Sequence, residues 1–250
     1  MGIRFAKSGA MADIAERLKQ INDKIASACG RCGRNRADVK LIVVTKTAPL
    51  KDIKQVIRLG CTDLGENRVQ QLKKVSSEIN AFLEQGRRQS ELPEKVNWHM
   101  VGHLQRNKVR QVLPIASVIH SVDTLRLAEE IDSAAAKLAL QPQILLQVNT
   151  SGETTKYGVA VGAVTHLAEQ ITTLPNLRLI GLMTMAPLTL NKDVVWTCFA
   201  RTGELFEEMR GEKIAGPDFT QLSMGMSQDY EIAVELGATM LRIGSAIFAG

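Results

Sequence analysis

The chain has 250 residues, 45% hydrophobic and 23% charged, which fits one large α/β domain or two small ones and argues against a disordered chain. Its net charge of +5 is modest, aromatic residues make up only 4%, and the basic residues are scattered among carboxylates, so nucleic acid is not an expected partner.

Residues 1–10 read as a loose leader and residues 11–250 as one domain, with no change of composition and no Pro/Ser linker inside it. Ile14, Leu18, Ile21 and Ile25 recur at helical spacing and Gly30 ends the pattern, which predicts a helix ahead of the first strand. The first strand runs from Val39 and ends at Lys46. A short helix with Leu50, Ile53 and Ile57 follows, then a strand over 61–64 and a longer helix with Val69, Leu72, Val75 and Ile79. The polar stretch 86–94 reads as a surface loop. Strands are predicted over 96–101, 115–120, 143–148, 177–183, 219–223 and 239–243, with helical patterns between them. Ser121 or Asp123 is the expected cap of the helix carrying Leu127, Ile131 and Leu138. Strand and helix thus alternate through eight units with short connections, which argues for a single closed (β/α)8 TIM barrel rather than an open sheet.

Four cysteines, of which only Cys29 and Cys32 are neighbours, make no disulfide framework, so the chain reads as intracellular and cytoplasmic. The Cys29-Gly-Arg-Cys32 spacing lacks a second pair or a histidine pair, and no metal site is assigned. No apolar run approaches about 18 residues, and the start shows neither a signal-peptide core nor a myristoylation pattern, so no membrane association is expected.

In a barrel, the chemistry sits at the C-terminal ends of the strands. Lys46 ends the first strand. Either it leaves the strand for water, or burial lowers its pKa and leaves a neutral amine able to form a Schiff base with a carbonyl. The loops after the seventh and eighth strands, Ser223-Met-Gly225-Met-Ser227 and Gly244-Ser245-Ala246, have the glycines and hydroxyls of a phosphate cradle. A Schiff-base lysine facing such a cradle describes a site for pyridoxal 5′-phosphate. His99 and His103 are set aside as hydrogen-bonded structural groups.

The segments Val-Thr-Lys46-Thr, Leu64-Gly-Glu-Asn67, the run from Trp98 to Lys108, Lys156-Tyr-Gly158, Gly181-Leu-Met-Thr184, the run from Leu222 to Asp229 and the run from Arg242 to Phe248 resemble the pyridoxal phosphate homeostasis protein family, from about residue 12 onward. The resemblance implies a barrel like the N-terminal domain of alanine racemase, with Lys46 as the Schiff-base lysine. It also implies Asn67 beside the cofactor ring, Ser223, Ser227, Gly244 and Ser245 at the phosphate, and Arg242 near the pyridine nitrogen. An arginine cannot give up its proton, so the nitrogen would stay unprotonated and the cofactor would be a poorer electron sink. Two departures stand out: the 86–94 loop is longer than expected, and the chain ends Ile-Phe-Ala-Gly250 where the family has Ile-Phe-Gly and a short tail.

The expected function is intracellular buffering and delivery of pyridoxal phosphate, without an established catalytic reaction. The expected partners are the cofactor itself and apo forms of enzymes that need it, and the chain is expected to be a monomer. The alternative is an amino-acid racemase or decarboxylase on the same barrel. Against it, no second acid or base opposite Lys46 can be assigned, since neither Tyr157 nor Tyr230 follows a strand in a position where it can be assigned as a base. A phosphosugar-binding barrel with Lys46 as an aldolase-like base is a third reading.

Overall fold

Among the described residues nine parallel strands alternate with helices, and eight of these strands close on themselves. The structure, a computed structural model, describes residues 8–86, 92–152 and 157–249. The strands are β1 (Lys40–Val44), β2 (Asp63–Glu66), β3 (Asn97–Met100), β4 (Ala116–Val122), β5 (Gln143–Asn149), β6 (Val159–Ala160), β7 (Arg178–Met183), β8 (Gln221–Ser223) and β9 (Met240–Ile243). Neighbours run β4-β3-β2-β1-β9-β8-β7-β5, and a β4–β5 pairing closes the ring, while the two-residue β6 is added to the end of β5. The predicted TIM barrel is therefore the observed fold, with β6 as an unexpected addition.

The helices pack outside. They are α1 (Ser8–Arg31), α2 (Leu50–Arg58), α3 (Val69–Gly86), α4 (Val109–Val112), α5 (Leu125–Leu138), α6 (Val164–Thr172), α7 (Lys192–Gly211), α8 (Tyr230–Glu235) and α9 (Ser245–Phe248). The first helix begins at Ser8, inside the stretch read as a leader, and part of the 86–94 loop lies outside the described residues. Pro49 precedes α2 with φ −61°, the value its ring imposes, and starts the helix whose Ile53, Val56 and Ile57 are buried. The cap of α5 is Thr124, whose hydroxyl accepts from the Leu127 N–H at 3.3 Å, in place of the expected Ser121 or Asp123.

Two apolar layers result from the two-residue period of the strands. Val43, Ile119, Leu146, Leu179, Leu241 and Ile243 face outward into the shell of helices. Their sequence neighbours Ile42, Val118, Leu145, Ile180 and Met240 face inward and pack with Met183 as a separate cluster on the barrel axis. Arg242 therefore shares the inner face of β9 with Met240, and His120 shares that of β4 with Val118. Polar side chains sit inside this barrel, and they position the site.

The end of α5 carries a conformational cost. Ala139 adopts φ 50° and ψ 43°, the left-handed region usually taken by glycine at this position. Ala139→Gly is expected to stabilise the protein by about 1 kcal/mol, raising the midpoint of thermal unfolding by roughly 2–4 °C. An unchanged or lower midpoint in calorimetry would count against the left-handed cap.

Candidate functional site

The turn that carries Lys46 is fixed by its neighbours. The Thr45 N–H donates to the Gly65 carbonyl at 2.9 Å and the Ala48 N–H to the Thr45 carbonyl at 2.9 Å, which closes a tight turn over Lys46 and Thr47. The Thr45 hydroxyl donates to Glu66 Oε1 at 2.5 Å. Glu66 is fully buried, its Oε2 has no hydrogen-bond partner among the described residues, and burial raises its carboxyl pKa, opposed by Thr45 and the Asn67 amide. Lys46 itself is exposed at the rim. The expected strand end at Lys46 is corrected here: β1 ends at Val44, so the side chain starts beyond the last paired residue, and of the two readings of this lysine its exposure agrees with the one that leaves the strand for water. Asn67, one residue past β2, is half-buried on the same rim.

The expected phosphate residues come together from two loops. The register pairs Ile42 with Arg242 and Val43 with Ile243, so Gly244 follows beside Val44. A Cβ at Gly244 would lie 2.7 Å from the Val44 carbonyl oxygen, and only glycine allows β9 to end this close to the Lys46 turn. In the other loop Gly225 has φ +92°, and a Cβ there would meet that of Ala233 at 2.6 Å. The Ser227 hydroxyl accepts from the Ala246 N–H at 3.2 Å, tying the loop after β8 to the start of α9, next to Gly244 and Ser245. Asp229 Oδ1 accepts from the Met226 N–H at 2.5 Å and holds the loop closed.

Below the rim the interior is polar and almost fully buried. Arg242, 5% exposed, donates from Nη1 to the Ser223 hydroxyl at 2.6 Å and from Nη2 to the Thr184 carbonyl at 2.8 Å. Burial lowers the guanidinium pKa to about 10, opposed by the charge of Asp229. Among the described residues no carboxylate forms an ion pair with it. Ser223, expected among the phosphate ligands, is completely buried, and its hydroxyl also meets His120 Nδ1 at 2.9 Å. The structure thus places it beneath Arg242 rather than in the Ser227–Ala246 cradle.

From His120 the polar contacts continue. His120 Nε2 lies 2.9 Å from His99 Nδ1, and His99 Nε2 lies 3.2 Å from Asp63 Oδ1. Asp63 in turn pairs with Lys40 at 3.3 Å. Burial depresses both imidazole pKa values; the charges of His99, Arg242 and Lys40 add to the effect at His120, whereas Asp63 opposes it at His99. Burial alone would raise the Asp63 carboxyl, but the His99 hydrogen bond and the Lys40 charge outweigh it and hold the pKa at about 2. His120 and Asp63 are absent from the sequence reading. Their only signal was a polar residue inside an apolar strand. On the rim, His103 stacks on Tyr157 with ring centroids 4.1 Å apart, while Lys156 lies outside the described residues.

A parallel eight-stranded barrel whose C-terminal mouth presents a lysine over a buried arginine defines the class of the alanine racemase barrels. The chain belongs to the family described as alanine racemase, N-terminal domain, whose model matches residues 17–250. It is 38% identical over 235 residues to the pyridoxal phosphate homeostasis protein of Aquifex aeolicus (strain VF5), covering 93% of this chain and 96% of that one. The solved structure of PipY from Synechococcus elongatus PCC7942, with PLP bound, superposes with a TM-score of 0.79 at 31% identity, over 94% of this chain and 100% of that one. Alanine racemase of Clostridium difficile 630 superposes with a TM-score of 0.70 over 96% of this chain and 57% of its own; at 14% identity it shares the fold alone.

The two buried imidazoles make stability depend on pH. Unfolded, each takes up a proton below about pH 6.5; folded, each stays neutral to lower pH. The unfolded state then binds more protons, so stability falls as the pH drops below 6.5, by up to roughly 1.4 kcal/mol per pH unit for each histidine. Asp63 adds a second loss as the pH falls from about 4 to about 2. Urea unfolding between pH 7.5 and 4.5 measures the first slope, and constant stability across that range would contradict neutral burial.

Proposed function

We propose that this protein binds pyridoxal 5′-phosphate at the C-terminal mouth of the barrel and serves its homeostasis, taking it up and giving it over to enzymes that need it. The observation that carries this reading is Arg242. A guanidinium buried to 5% exposure with no carboxylate ion pair among the described residues suits a polar ligand atom above it. It has N–H donors beyond the two engaged by Ser223 and Thr184. Curated relatives that match over most of this chain are named for pyridoxal phosphate homeostasis, and PipY was solved with PLP bound.

When bound, pyridoxal 5′-phosphate supplies an aldehyde that condenses with a primary amine and a pyridine ring that withdraws electrons. Lys46 offers that amine from an exposed turn, where access is open. Arg242 is assigned to the ring nitrogen, and because it does not release its proton it keeps that nitrogen unprotonated. Asn67 is assigned to the side of the ring, and Ser227, Gly244 and Ser245 to the phosphate. Ser223 supports Arg242 from beneath.

The racemase or decarboxylase reading has one observation in its favour, the stacked pair of His103 and Tyr157 on the rim. Incubating the cofactor-loaded protein with single L-amino acids, and following optical rotation and carbon dioxide, distinguishes the two. Loss of optical rotation that Tyr157→Phe abolishes would favour the enzyme. Activation of an added apoenzyme without any turnover would favour homeostasis.

Protein mixed with pyridoxal 5′-phosphate is expected to turn yellow, and borohydride is expected to fix the cofactor on the peptide containing Lys46. Lys46→Ala is expected to abolish both signals while leaving the unfolding midpoint within about 1 °C of the parent, as for other exposed substitutions. A colourless parent protein would refute the cofactor reading.

A further inference from the structure

The interior polar groups form one row, Arg242, Ser223, His120, His99 and Asp63, with contacts of 2.6, 2.9, 2.9 and 3.2 Å. They come from five different strands, β9, β8, β4, β3 and β2, and reach from the floor of the mouth to the first residue of β2. There Asp63, Lys40, Asn97 and His99 line a cavity of about 500 Å³ at the opposite end of the barrel.

The direction of every hydrogen bond in the row follows from its two ends. Arginine can only donate and an ionised carboxylate can only accept. Asp63 must therefore receive the His99 Nε2–H. That leaves His99 Nδ1 as an acceptor for the His120 Nε2–H, and His120 Nδ1 as an acceptor for the Ser223 hydroxyl. Ser223, having donated downward, accepts from Arg242. Starting from the arginine gives the same assignment. Protonating His120 would set two donors against one hydroxyl and a second cation beside Arg242 in a dry interior, a cost consistent with the depressed imidazole pKa values.

We propose that Asp63, His99 and His120 are positioning residues for the cofactor site, holding Ser223 and through it Arg242 in one orientation toward the pyridine nitrogen. The inference rests on the cofactor reading above. No proton travels along the row, because the guanidinium at its upper end does not release one. Its work is orientation: the carboxylate selects one tautomer of His99, that tautomer selects one of His120, and the Ser223 oxygen is left facing Arg242. The charged groups that bear on the row are Lys40 on β1 at the lower end and Asp229 in the loop after β8 at the upper end. The Ser223 hydroxyl and the Thr184 carbonyl accept from the guanidinium itself.

Two measurements test the inference. Imidazole 15N spectra of the cofactor-free protein are expected to show His99 and His120 as neutral Nε2–H tautomers from about pH 6.5, the ordinary imidazole value, to 8. An Nδ1–H tautomer, or titration of either buried ring in that range, would overturn the assignment. This measurement stands even where a variant folds poorly. In the second, Asp63→Asn is compared with Ser117→Ala, an exposed neighbour in the same cavity that is not part of the row. Asp63→Asn is expected to weaken pyridoxal 5′-phosphate binding about fivefold and to shift the visible band and its pH titration, although it lies at the other end of the barrel. Ser117→Ala is expected to change neither. Equal affinity and spectra for Asp63→Asn and the parent, or a shift shared by Ser117→Ala, would overturn the positioning role. Failure of the parent protein itself to take up the cofactor would instead overturn the cofactor reading, and with it the role of the row toward that site.

Discussion

The structure depends on keeping a guanidinium inside a barrel. Transfer of an isolated charge out of water is costly enough that a buried cation has to be hydrogen-bonded or paired. Arg242 is held by a hydroxyl and a backbone carbonyl, with Asp229 as the stabilising charge. Each partner sets a further requirement. Ser223 must present its oxygen, so its proton needs an acceptor, and His120 can accept only while neutral. Neutrality in turn is supported by burial and by a hydrogen-bond direction that ends on Asp63. One buried charge on β9 thereby constrains side chains on four other strands.

Closure of the barrel makes such a row possible. In a parallel barrel the inward positions of all strands meet on one axis, so residues remote in sequence become neighbours through register alone. The pairing of Ile42 with Arg242 sets Gly244 beside Val44, and the missing Cβ of Gly244 lets the loop after β9 close against the turn after β1. Lys46 and Gly244 thus belong to one rim, while Arg242 and Ser223 form its floor. The rim residues sit beyond the strands and reach solvent, whereas the floor residues sit within them and do not.

That difference explains what could be read from the sequence. The alternation of strand and helix was legible because its periods are local, and the loops carrying Ser227 and Gly244 were legible because turn chemistry is local too. Strand ends were less so: β1 stops at Val44, and Lys46, taken for its last residue, belongs to a turn held by Thr45 and Ala48. Thr124 was passed over as a cap because Ser121 and Asp123 have equally suitable side chains, and only the backbone angles select among them. The row escaped for a different reason. Asp63, His99, His120 and Ser223 are far apart in sequence, and a single histidine in a strand resembles any hydrogen-bonded core histidine. Ser223 was assigned to the phosphate by its place in the Ser223-Met-Gly225-Met-Ser227 stretch, yet it is the last residue of β8 and faces inward. Alternation along that strand carried the needed signal, since a residue still inside the strand faces the axis rather than the rim.

The contrast between rim and floor also bears on what a cofactor carrier needs. Such a protein has to recognise its ligand without trapping it. Recognition is served by groups that do not reorganise, because a preoriented donor loses less freedom on binding than one that must be ordered. The row supplies this at the floor: Ser223 is engaged on both sides, and Arg242 is fixed by a hydroxyl and a backbone carbonyl. Release would be served by an attachment point that water and a recipient can reach, and Lys46, the point proposed above, is exposed on a turn outside the sheet. A lysine buried in the barrel would hold the ligand behind the same wall that orients it. Placing the amine beyond the last residue of β1 and the guanidinium within β9 separates the two demands, although both positions follow from the register of one pair of strands.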